Sequence, residues 1–349
     1  MKVLHLPTSV GGNAWGLAQA EKKLGLESEV LVVKQNWLNY DADIILNLEN
    51  KNFFSQSLNL YKTFQNIKNK YDVFHFNYGS SLLDFQKLGL PLLELPFYDK
   101  SKKIIFTYNG SDSRAVHPLD YWHELPSPKQ TLYNKIAIEI KKRKIQKVAK
   151  FADHIFALNP DLLHYLPQKA TFLPYSISNW DRIKEVKRKQ KKVIKIVHSP
   201  TSRDFKGSTF ILEGLEILKK RYNNIEVQII ENIPHKEALK LYGEADLVID
   251  QVLIGWYGAF GVEAMKMGKP LAVYIREEDL RFIPKAMGED VKDAIINITP
   301  FNIVEKLSLY IENQDLLKQK AQAGLAYSNK WHDPLYVAGI VKSVYEDIR

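Results

Sequence analysis

The chain has 349 residues, of which 45% are hydrophobic and 26% are charged, so its composition is that of a folded globular protein and excludes a disordered or collagen-like one. Its length suggests two domains, because a typical domain has about 150 residues. The 49 lysines and arginines outnumber the 40 acidic residues, giving a net charge of +9 that favours an anionic partner. The absence of cysteine excludes disulfides, thiolate nucleophiles and cysteine-based zinc sites.

No apolar run reaches the roughly 18 residues that are needed to cross a bilayer. The apolar stretch at the start of the chain is broken by Pro7, too early for a signal peptide. The sequence therefore predicts a cytoplasmic protein.

Short apolar runs of strand length recur through the first half of the chain, and stretches with helical spacing separate several of them. The predicted strands are Val3–Leu6, Val30–Val33, Ile44–Leu48, Val73–Phe76, Ile104–Thr107 and His154–Leu158. A helix follows the first strand, with Gly25 as its predicted C-cap. Apolar strands that alternate with helices predict a parallel sheet that is covered on both faces.

The same pattern restarts after a break near residues 178–192. Further strands are predicted at Val193–Val197, Val227–Ile230, Leu247–Ile249, Leu271–Ile275 and Ala294–Ile298, with helices at Ser208–Tyr222 and Ala259–Met267. The basic run over residues 182–195 fits either a solvated connector or an anion-binding patch. We predict two α/β domains, residues 1–180 and 190–331. A helix over 332–349 follows, and its spacing does not decide which domain it joins.

Two glycine-bearing loops occupy matching positions, each between the first strand and the first helix of a domain. Gly11 and Gly12 form the loop of the first domain, and Lys206 and Gly207 lie in that of the second, three residues after Arg203. Free amides at a helix N-terminus bind phosphate, and a lysine adds a positive charge. A tight turn or an ordinary surface lysine explains either loop alone, but their matching positions favour a phosphate site.

The stretch from Asp250 to Pro270 combines the end of a strand, a glycine-rich loop and a helix that carries Glu263 near its first turn. The carboxyl ends of strands are where open α/β sheets bind ligands. A carboxylate there can accept hydrogen bonds from both hydroxyls of a ribose. The alternative is an acidic first-turn residue that interacts only with the helix dipole.

Polar residues also end two strands of the first domain. His75 and Asn77 end one strand, and Asn109 and Asp112 follow the next. We expect them to converge on one edge of the sheet. The alternative for Asp112 is a structural ion pair with Arg114.

With these motifs the chain resembles a retaining glycosyltransferase of the GT-B fold, similar to family 4, the "glycosyl transferases group 1" type. The resemblance rests on Gly11-Gly12, on Lys206-Gly207, and on Gly258 to Met265 followed by Gly268-Lys269-Pro270. It implies two Rossmann-like, doubly wound α/β domains that face a central cleft. It also implies that the C-terminal helix, residues 332–349, crosses back to the first domain.

The resemblance further implies a nucleotide-sugar donor held mainly by the second domain. Lys206 and Arg203 would hold the diphosphate, Glu263 would bind the ribose, and Gly12 would close over the diphosphate. The implied donor-binding residues are Gly11, Gly12, Arg203, Lys206, Gly207, Tyr257, Gly258, Ala259, Phe260, Gly261 and Glu263. The catalytic candidates, near the acceptor, are Asp112, His75 and Asn109. No cofactor or metal is implied, and the acceptor would be a glycan, a lipid-linked molecule or a small molecule.

Two positions depart from the family pattern. The family usually has two glutamates eight residues apart, of which Glu263 matches the second while the first falls on Gly255. Many members have a histidine where Asn109 stands. We expect Trp256 and Tyr257 to lie against the sugar, with Tyr257, Asp250 or Gln251 replacing the missing hydrogen bonds.

Other readings remain open. A non-catalytic nucleotide-sugar-binding protein and a nucleotide-sugar epimerase of the same fold are alternatives, whereas nucleic-acid binding lacks a recognisable module. The basic stretch Lys129–Lys150, which includes Ile136, Ile140, Ile145 and Val148, fits either a solvated helix face or peripheral membrane contact. The second interpretation makes the inner membrane surface an alternative location.

Overall fold

The computed structural model describes residues 1–35, 38–126, 131–187 and 193–348, apart from the side chains of Lys87 and Tyr133. The chain divides into two compact units. Unit 1 comprises Met1–Val116, Lys129–Ser178 and Pro334–Arg349, and unit 2 comprises His117–Pro128 and Asn179–Asp333. Residues 188–192 of the basic connector, and Lys129 of the predicted basic helix, lie outside the described residues.

Unit 1 contains a parallel sheet that seven strands form within the described residues. The strands are β1 (Lys2–Leu6), β2 (Glu27–Val32), β3 (Ile44–Ile45), β4 (Val73–Asn77), β5 (Lys103–Tyr108), β6 (His154–Ala157) and β7 (Ala170–Phe172). Their order across the sheet is β3-β2-β1-β4-β5-β6-β7. The helices that follow are α1 (Asn13–Lys23), α2 (Phe53–Ile67) and α3 (Leu132–Phe151).

Side chains alternate between the two faces of this sheet, as the period of a strand requires. Leu31 of β2 belongs to a large buried cluster with residues of α2 and α3. Its neighbours Val30 and Val32 instead pack with Ala14 and Ala18 of α1. Helices α2 and α3 therefore cover one face, and α1 covers the other.

Unit 2 contains a second parallel sheet, with five strands in the described part of the chain. They are β8 (Ile194–His198), β9 (Ile225–Ile229), β10 (Leu247–Ile249), β11 (Leu271–Val273) and β12 (Ile295–Asn297), in the order β12-β11-β10-β8-β9. The helices are α4 (Arg203–Lys206), α5 (Ser208–Arg221), α6 (His235–Glu244), α7 (Ala259–Lys266), α8 (Lys285–Ala294), α9 (Ile303–Glu312) and α10 (Gln314–Trp331). The prediction of two doubly wound parallel sheets is confirmed.

The last helix, α11 (Pro334–Asp347), belongs to unit 1, as the resemblance implied. Its Lys342 Nζ donates a hydrogen bond to the carbonyl of Leu24 over 3.1 Å. Its Tyr345 hydroxyl lies 2.6 Å from Nδ1 of His75, in the core beneath α1. The helix starts at Pro334 and not at residue 332, and His332 packs in unit 2.

The segment His117–Pro128 belongs to unit 2, although we predicted residues 1–180 to be one domain. His117 Nε2 lies 3.0 Å from the carboxylate of Asp204. The ring of Trp122 packs on Tyr274, with centroids 4.7 Å apart, and its indole N–H donates to the carbonyl of Leu253. The segment therefore makes these aromatic and polar contacts with residues that lie far along the sequence.

No helix in the described ranges combines the length and the hydropathy that a membrane span requires. The cytoplasmic location stays a prediction.

Candidate functional site

Doubly wound sheets bind ligands at the carboxyl ends of their strands, where the strand order changes direction. In unit 2 this switch point lies between β8 and β10, and in unit 1 between β1 and β4. The predicted site residues lie in these strands, or follow them and the neighbouring β5.

Lys206 and the glycine-rich loop meet at the buried carboxylate of Asp250, which directly follows β10. The ammonium group of Lys206 pairs with Oδ1 of Asp250. The backbone N–H of Gly258 donates to Oδ2 of the same residue over 2.7 Å. An ammonium group has three donors, so this pairing leaves two N–H bonds of Lys206 for an anionic ligand.

Two helix N-termini without side-chain caps follow β8 and β10. Gly207 is the N-cap of α5, and Gly258 is the N-cap of α7. The first amides of a helix have no partner within the helix, and together with the helix dipole they favour a negative charge. Gly258 and Ala259 are half-buried, whereas Phe260 and Gly261 are buried. Only the start of this loop therefore presents its backbone to a ligand.

Glu263 lies in the second turn of α7 and is almost fully buried. Its Oε1 lies 2.6 Å from Nε2 of His235, the first residue of α6. Burial lowers the pKa of His235, but the negative charge of Glu263 and the hydrogen bond to it raise the pKa above the ordinary value. Burial and the charge of Glu263 also raise the pKa of the nearby Tyr242 hydroxyl. Because Glu263 is outside the first turn, helix-dipole capping does not explain it.

His198 ends β8 beside these groups. Its Nδ1 donates to the carbonyl of Ile249, and its Nε2 accepts a hydrogen bond from the hydroxyl of Ser208, each over 2.8 Å. Burial lowers the pKa of His198 to about 4, and the positive charge of Lys206 contributes. His198 is therefore neutral near pH 7 and fixes the hydroxyl of Ser208 at the start of α5.

Arg203 is exposed at the start of α4, where it makes a two-pronged contact with Glu231. Its Nε and Nη2 lie 2.8 Å and 2.5 Å from the two carboxylate oxygens. Glu231 follows β9, not β10, so this contact does not direct Arg203 toward Asp250. The structure thus joins Lys206 to the glycine-rich loop but ties Arg203 to Glu231.

The aromatic pair in the loop does not stack on a ligand as we expected, because the side chains of Trp256 and Tyr257 are fully buried. The hydroxyl of Tyr257 lies 2.6 Å from that of Tyr327 and 2.8 Å from Nε2 of His332, which belong to α10 and the residue after it. Gln251 is also engaged, with backbone groups of its own loop and of Tyr274. Neither Tyr257 nor Gln251 is available to replace the contact that Gly255 lacks.

Gly255 has a left-handed backbone, with φ of +90°. A Cβ atom there would lie 2.8 Å from Cβ of Arg276. A glycine thus fits the backbone, and the space for a longer side chain is taken by Arg276.

In unit 1, Gly11 and Gly12 form the predicted turn between β1 and α1, both with positive φ. A Cβ on Gly12 would lie 2.5 Å from the hydroxyl oxygen of Ser178, so packing alone requires glycine there. The turn contacts the loop after β5, where Asn109 Nδ2 donates to the carbonyl of Val10 over 3.4 Å. The structure therefore brings the Gly11-Gly12 turn and Asn109 together.

Asp112 shapes the loop after β5. Its carboxylate accepts hydrogen bonds from the amides of Asn109 and Gly110 over distances of 2.7–3.1 Å. Burial raises the pKa of Asp112, although these amide contacts counteract the effect. Arg114, the alternative partner of Asp112, makes a buried two-pronged contact with Asp161, at 2.7 and 3.0 Å, although its positive charge still lowers the pKa of Asp112.

His75 is fully buried, which contradicts its prediction as a catalytic residue at a strand end. Its Nδ1 and Nε2 each lie 2.6 Å from a hydroxyl, that of Tyr345 and that of Thr107. Burial lowers the pKa of His75 well below its ordinary value. Asn77 is also buried, and its amide donates to the carbonyl of His75. Both residues face the core because alternation along β4 places His75 beneath α1 and α11.

A group of buried side chains in unit 1 has the composition of a metal site. His5, Glu21 and His75 place their ligand atoms within 4.8 Å of one another. Glu21 accepts hydrogen bonds from Ser28 and Tyr345 and contacts His5. These hydrogen bonds explain why the three side chains lie together, as members of one buried network. Elsewhere in the described ranges, no such group of three is found.

Three functional candidates were missed or undervalued from the sequence: His198, His235 and the central role of Asp250. Asp250 ends a strand just before the glycine-rich loop, a position that could have identified it. His198 also ends a strand, although nothing in the sequence distinguishes it from a core histidine. His235 starts a helix 28 residues before Glu263, and only the fold brings the two together.

No protein-family model and no curated protein matches the sequence. Solved structures do match the fold. Sucrose-phosphate synthase from Thermosynechococcus elongatus has a TM-score of 0.63 at 14% identity, over 99% of this chain and 98% of that one. S. aureus MnaA, in a structure with UDP, has a TM-score of 0.57 at 14% identity, over 100% and 97%.

A third match is a protein from Listeria monocytogenes assigned as a UDP-N-acetylglucosamine 2-epimerase. Its TM-score is 0.54 at 12% identity, over 100% of this chain and 97% of that one. Identities this low show a shared fold and nothing finer. With the two doubly wound sheets and the placement of α11 in unit 1, the chain has the GT-B fold.

Proposed function

We propose that this chain is a GT-B glycosyltransferase that transfers a sugar from a nucleotide-sugar donor to an acceptor hydroxyl. The observation that carries the proposal is the meeting of Lys206 and the Gly258 amide at Asp250, beside the uncapped N-termini of α5 and α7. Positive groups concentrated at a topological switch point suit a diphosphate.

In this proposal Lys206 and the first amides of α5 and α7 hold the diphosphate. Because these charges and dipoles are already oriented, they stabilise the negative charge that develops as the nucleoside diphosphate leaves. A bound metal ion is not required for that role, so we propose a metal-independent reaction. Arg203 is a secondary contact, since Glu231 already engages it.

Glu263 is assigned to the ribose. One carboxylate oxygen contacts His235, and the other is the atom that we assign to the ribose hydroxyls. His235 is the positioning residue for this carboxylate.

We assign the acceptor to unit 1, at the loop that holds Asn109 and Asp112. His75 is left out of the reaction because it is buried. We also propose that the transfer retains the anomeric configuration, as the family resemblance implies. Departure of the diphosphate and attack by the acceptor on the same face require no protein nucleophile.

A nucleotide-sugar epimerase is the second candidate, because the matching folds include a protein assigned as an epimerase and one solved with UDP. Fold similarity alone does not choose between the two reactions. A glycosyltransferase consumes the donor only in proportion to glycoside formed, whereas an epimerase converts the sugar nucleotide without an acceptor. A non-catalytic binding protein would do neither.

The experiment begins with a thermal-shift screen of nucleoside diphosphates and nucleotide sugars, with UDP first. A ligand at 100 times its Kd stabilises a protein by about 2.7 kcal/mol, which such a screen detects. Donors that bind are then incubated with a panel of acceptors while nucleoside diphosphate, glycoside and sugar isomer are measured. Acceptor-dependent glycoside formation supports the proposal, and isomerisation without an acceptor supports the epimerase.

Glu263→Gln tests whether Glu263 binds the donor. The amide has one accepting oxygen in place of two, so donor affinity should fall. Glu216→Gln on the exposed side of α5 is the matched control and should bind as the native protein does. Equal donor affinity in all three proteins would remove Glu263 from the site.

A further inference from the structure

Helices α2 and α3 lie on the same face of the unit 1 sheet and bury their inner sides in one cluster. Phe64 and Ile67 of α2 belong to this cluster, together with Ile145 and Val148 of α3. Two of the isoleucines and valines noted in the basic stretch are therefore core residues. What remains to be explained is the set of large apolar side chains that each helix leaves exposed.

Each helix also carries a stripe of exposed apolar residues. On α2, Phe54 is 78% exposed, and Leu58 and Tyr61 are also exposed at helical spacings of four and three. On α3, Leu132 is 73% exposed and is followed at spacings of four by Ile136 and Ile140, both exposed. Residues at these spacings lie on one side of a helix.

The segment between β4 and β5 contacts both helices. The ring of its Phe85 lies 6.0 Å from that of Phe53 at the start of α2. At its other side, Asp84 pairs with Lys144 of α3 over 2.7 Å, and Lys147 donates to the carbonyl of Pro91. Two exposed leucines lie on this segment. We use the term apolar face for the exposed residues of the two helices and this segment: Phe53, Phe54, Leu58, Tyr61, Leu88, Leu90, Leu132, Ile136 and Ile140.

Positive charge accompanies the apolar face. Helix α3 contains seven lysines and arginines but only one acidic residue, Glu139, and α2 contains no acidic residue. Exposed cations on α3 include Lys135, Lys142 and Arg143. Large apolar side chains flanked by cations are the composition of helices that lie in the interface of an anionic bilayer.

We propose that this face binds the surface of an anionic phospholipid bilayer. The apolar side chains of α2 and α3 enter the boundary between headgroups and acyl chains, and the cations of α3 contact the phosphate groups. A protein partner with an acidic, apolar surface is disfavoured because the exposed side chains are spread over two helices and a loop, which suits a planar fluid surface. The proposal is independent of the proposed function, since binding is measured without turnover.

The chain has no cysteine, so one introduced cysteine can be labelled alone with a polarity-sensitive fluorophore. We expect label at Phe54→Cys or Ile136→Cys to report an apolar environment when vesicles that contain phosphatidylglycerol are added. Label at Ile217→Cys, an exposed isoleucine in unit 2, is the control and should not respond. Vesicles of phosphatidylcholine alone, and high salt, should weaken the response.

Co-sedimentation provides the second measurement. The double variant Ile136→Ser/Ile140→Ser should bind phosphatidylglycerol vesicles about tenfold more weakly or worse, because apolar burial is lost. Lys142→Glu/Arg143→Glu should also bind more weakly. The control Ile217→Ser/Leu309→Ser should bind as the native protein does, and thermal unfolding checks that each variant is folded.

Three results would overturn the proposal. They are no co-sedimentation of the native protein at low salt, equal binding by the α3 variants, and loss of a native dimer in the α3 variants without any vesicle binding. The last result would identify the apolar face as an interface between copies of this chain.

Discussion

The Nε2 atom of His235 lies 2.6 Å from the Oε1 atom of Glu263, and the two residues belong to consecutive helices, α6 and α7. Protonated His235 supplies a positive charge beside a carboxylate that is almost fully buried. The raised pKa of His235 means that protonation is favoured in the folded protein.

This pair predicts a pH dependence of stability. A histidine whose pKa is raised by folding contributes stability that is fully present below its unfolded pKa and is lost as the pH rises through the folded pKa. We expect His235→Gln to lower the free energy of unfolding by about 1–2 kcal/mol in slightly acidic buffer and by less in alkaline buffer. Chemical denaturation at several pH values measures the difference. A loss that is independent of pH would show that His235 does not interact with Glu263 as a cation.

Lys206→Ala should have two effects that a second substitution separates. It removes a charge from the proposed diphosphate site and leaves the buried Asp250 without the cation of Lys206, so both nucleotide affinity and stability should fall. In Lys206→Ala/Asp250→Asn, stability should partly recover because the buried charge is gone, while affinity for nucleoside diphosphate should stay about tenfold or more below that of the native protein.

Lys219→Ala, an exposed lysine on α5, is the control for this series. Calorimetric titration with nucleoside diphosphate and chemical denaturation give the two readings. Recovery of native affinity in the double variant would assign Lys206 a structural role only.

Gly255→Ala should destabilise the fold by about 1–3 kcal/mol, since a side chain at a φ of +90° is strained and its Cβ would contact Arg276. Gly89→Ala distinguishes backbone strain from steric contact, because Gly89 also has a positive φ but has open space around its Cβ position. We expect a smaller loss there, measured by thermal unfolding. Gly255→Glu should unfold at least as readily as Gly255→Ala, so introducing the glutamate that is usual in the family the sequence resembles should disturb folding before it alters sugar choice.

Tyr345→Phe should test the role of His75. The Tyr345 hydroxyl donates to Glu21 and contacts Nδ1 of His75, so its loss leaves both buried groups short of a partner. We expect a destabilisation of about 1–3 kcal/mol in denaturant, with unchanged turnover per folded molecule. A strong loss of turnover at full stability would instead return His75 to the list of catalytic residues.

Activity should persist when divalent cations are removed with a chelator, because Lys206 and the helix amides supply the positive charge in the proposed site. Rates are compared before chelation, after it, and after Mg²⁺ or Mn²⁺ is restored. Loss on chelation that either ion reverses would contradict a metal-independent reaction.

The fold was largely predictable because its strands are short apolar runs. All of the predicted strands form, although Ile44–Leu48 yields only the two-residue β3. Strand β7 was missed because Ala170–Phe172 is a brief sequence without a continuous apolar run. The placement of residues 117–128 in unit 2 was unpredictable, because it depends on contacts such as that of Trp122 with Tyr274, which lies about 150 residues later.

The parts of the candidate site in which a motif fixes the backbone were predictable. The parts that depend on the direction of a side chain were not. The loop around Gly258 and the position of Lys206 came from glycine spacing at strand ends. Tyr257 and His75 were misjudged because both stand next to polar, strand-end positions yet turn into the core. Spacing along the chain cannot show that Tyr327 and His332 both contact the hydroxyl of Tyr257, or that the hydroxyl of Tyr345 contacts His75.

The course of the chain between the two units has a practical consequence for dissecting the protein. The chain passes between the units four times. Residues 117–128 lie in unit 2 between two segments of unit 1, and the chain returns to unit 1 for α11 after residues 179–333 of unit 2. A fragment of residues 1–180 would expose the apolar and polar groups that α11 covers, including His75, and would carry an unpaired Trp122. Neither half is a natural fragment, so unit 2, which we propose to bind the donor, would be isolated more successfully as a permuted chain than by truncation.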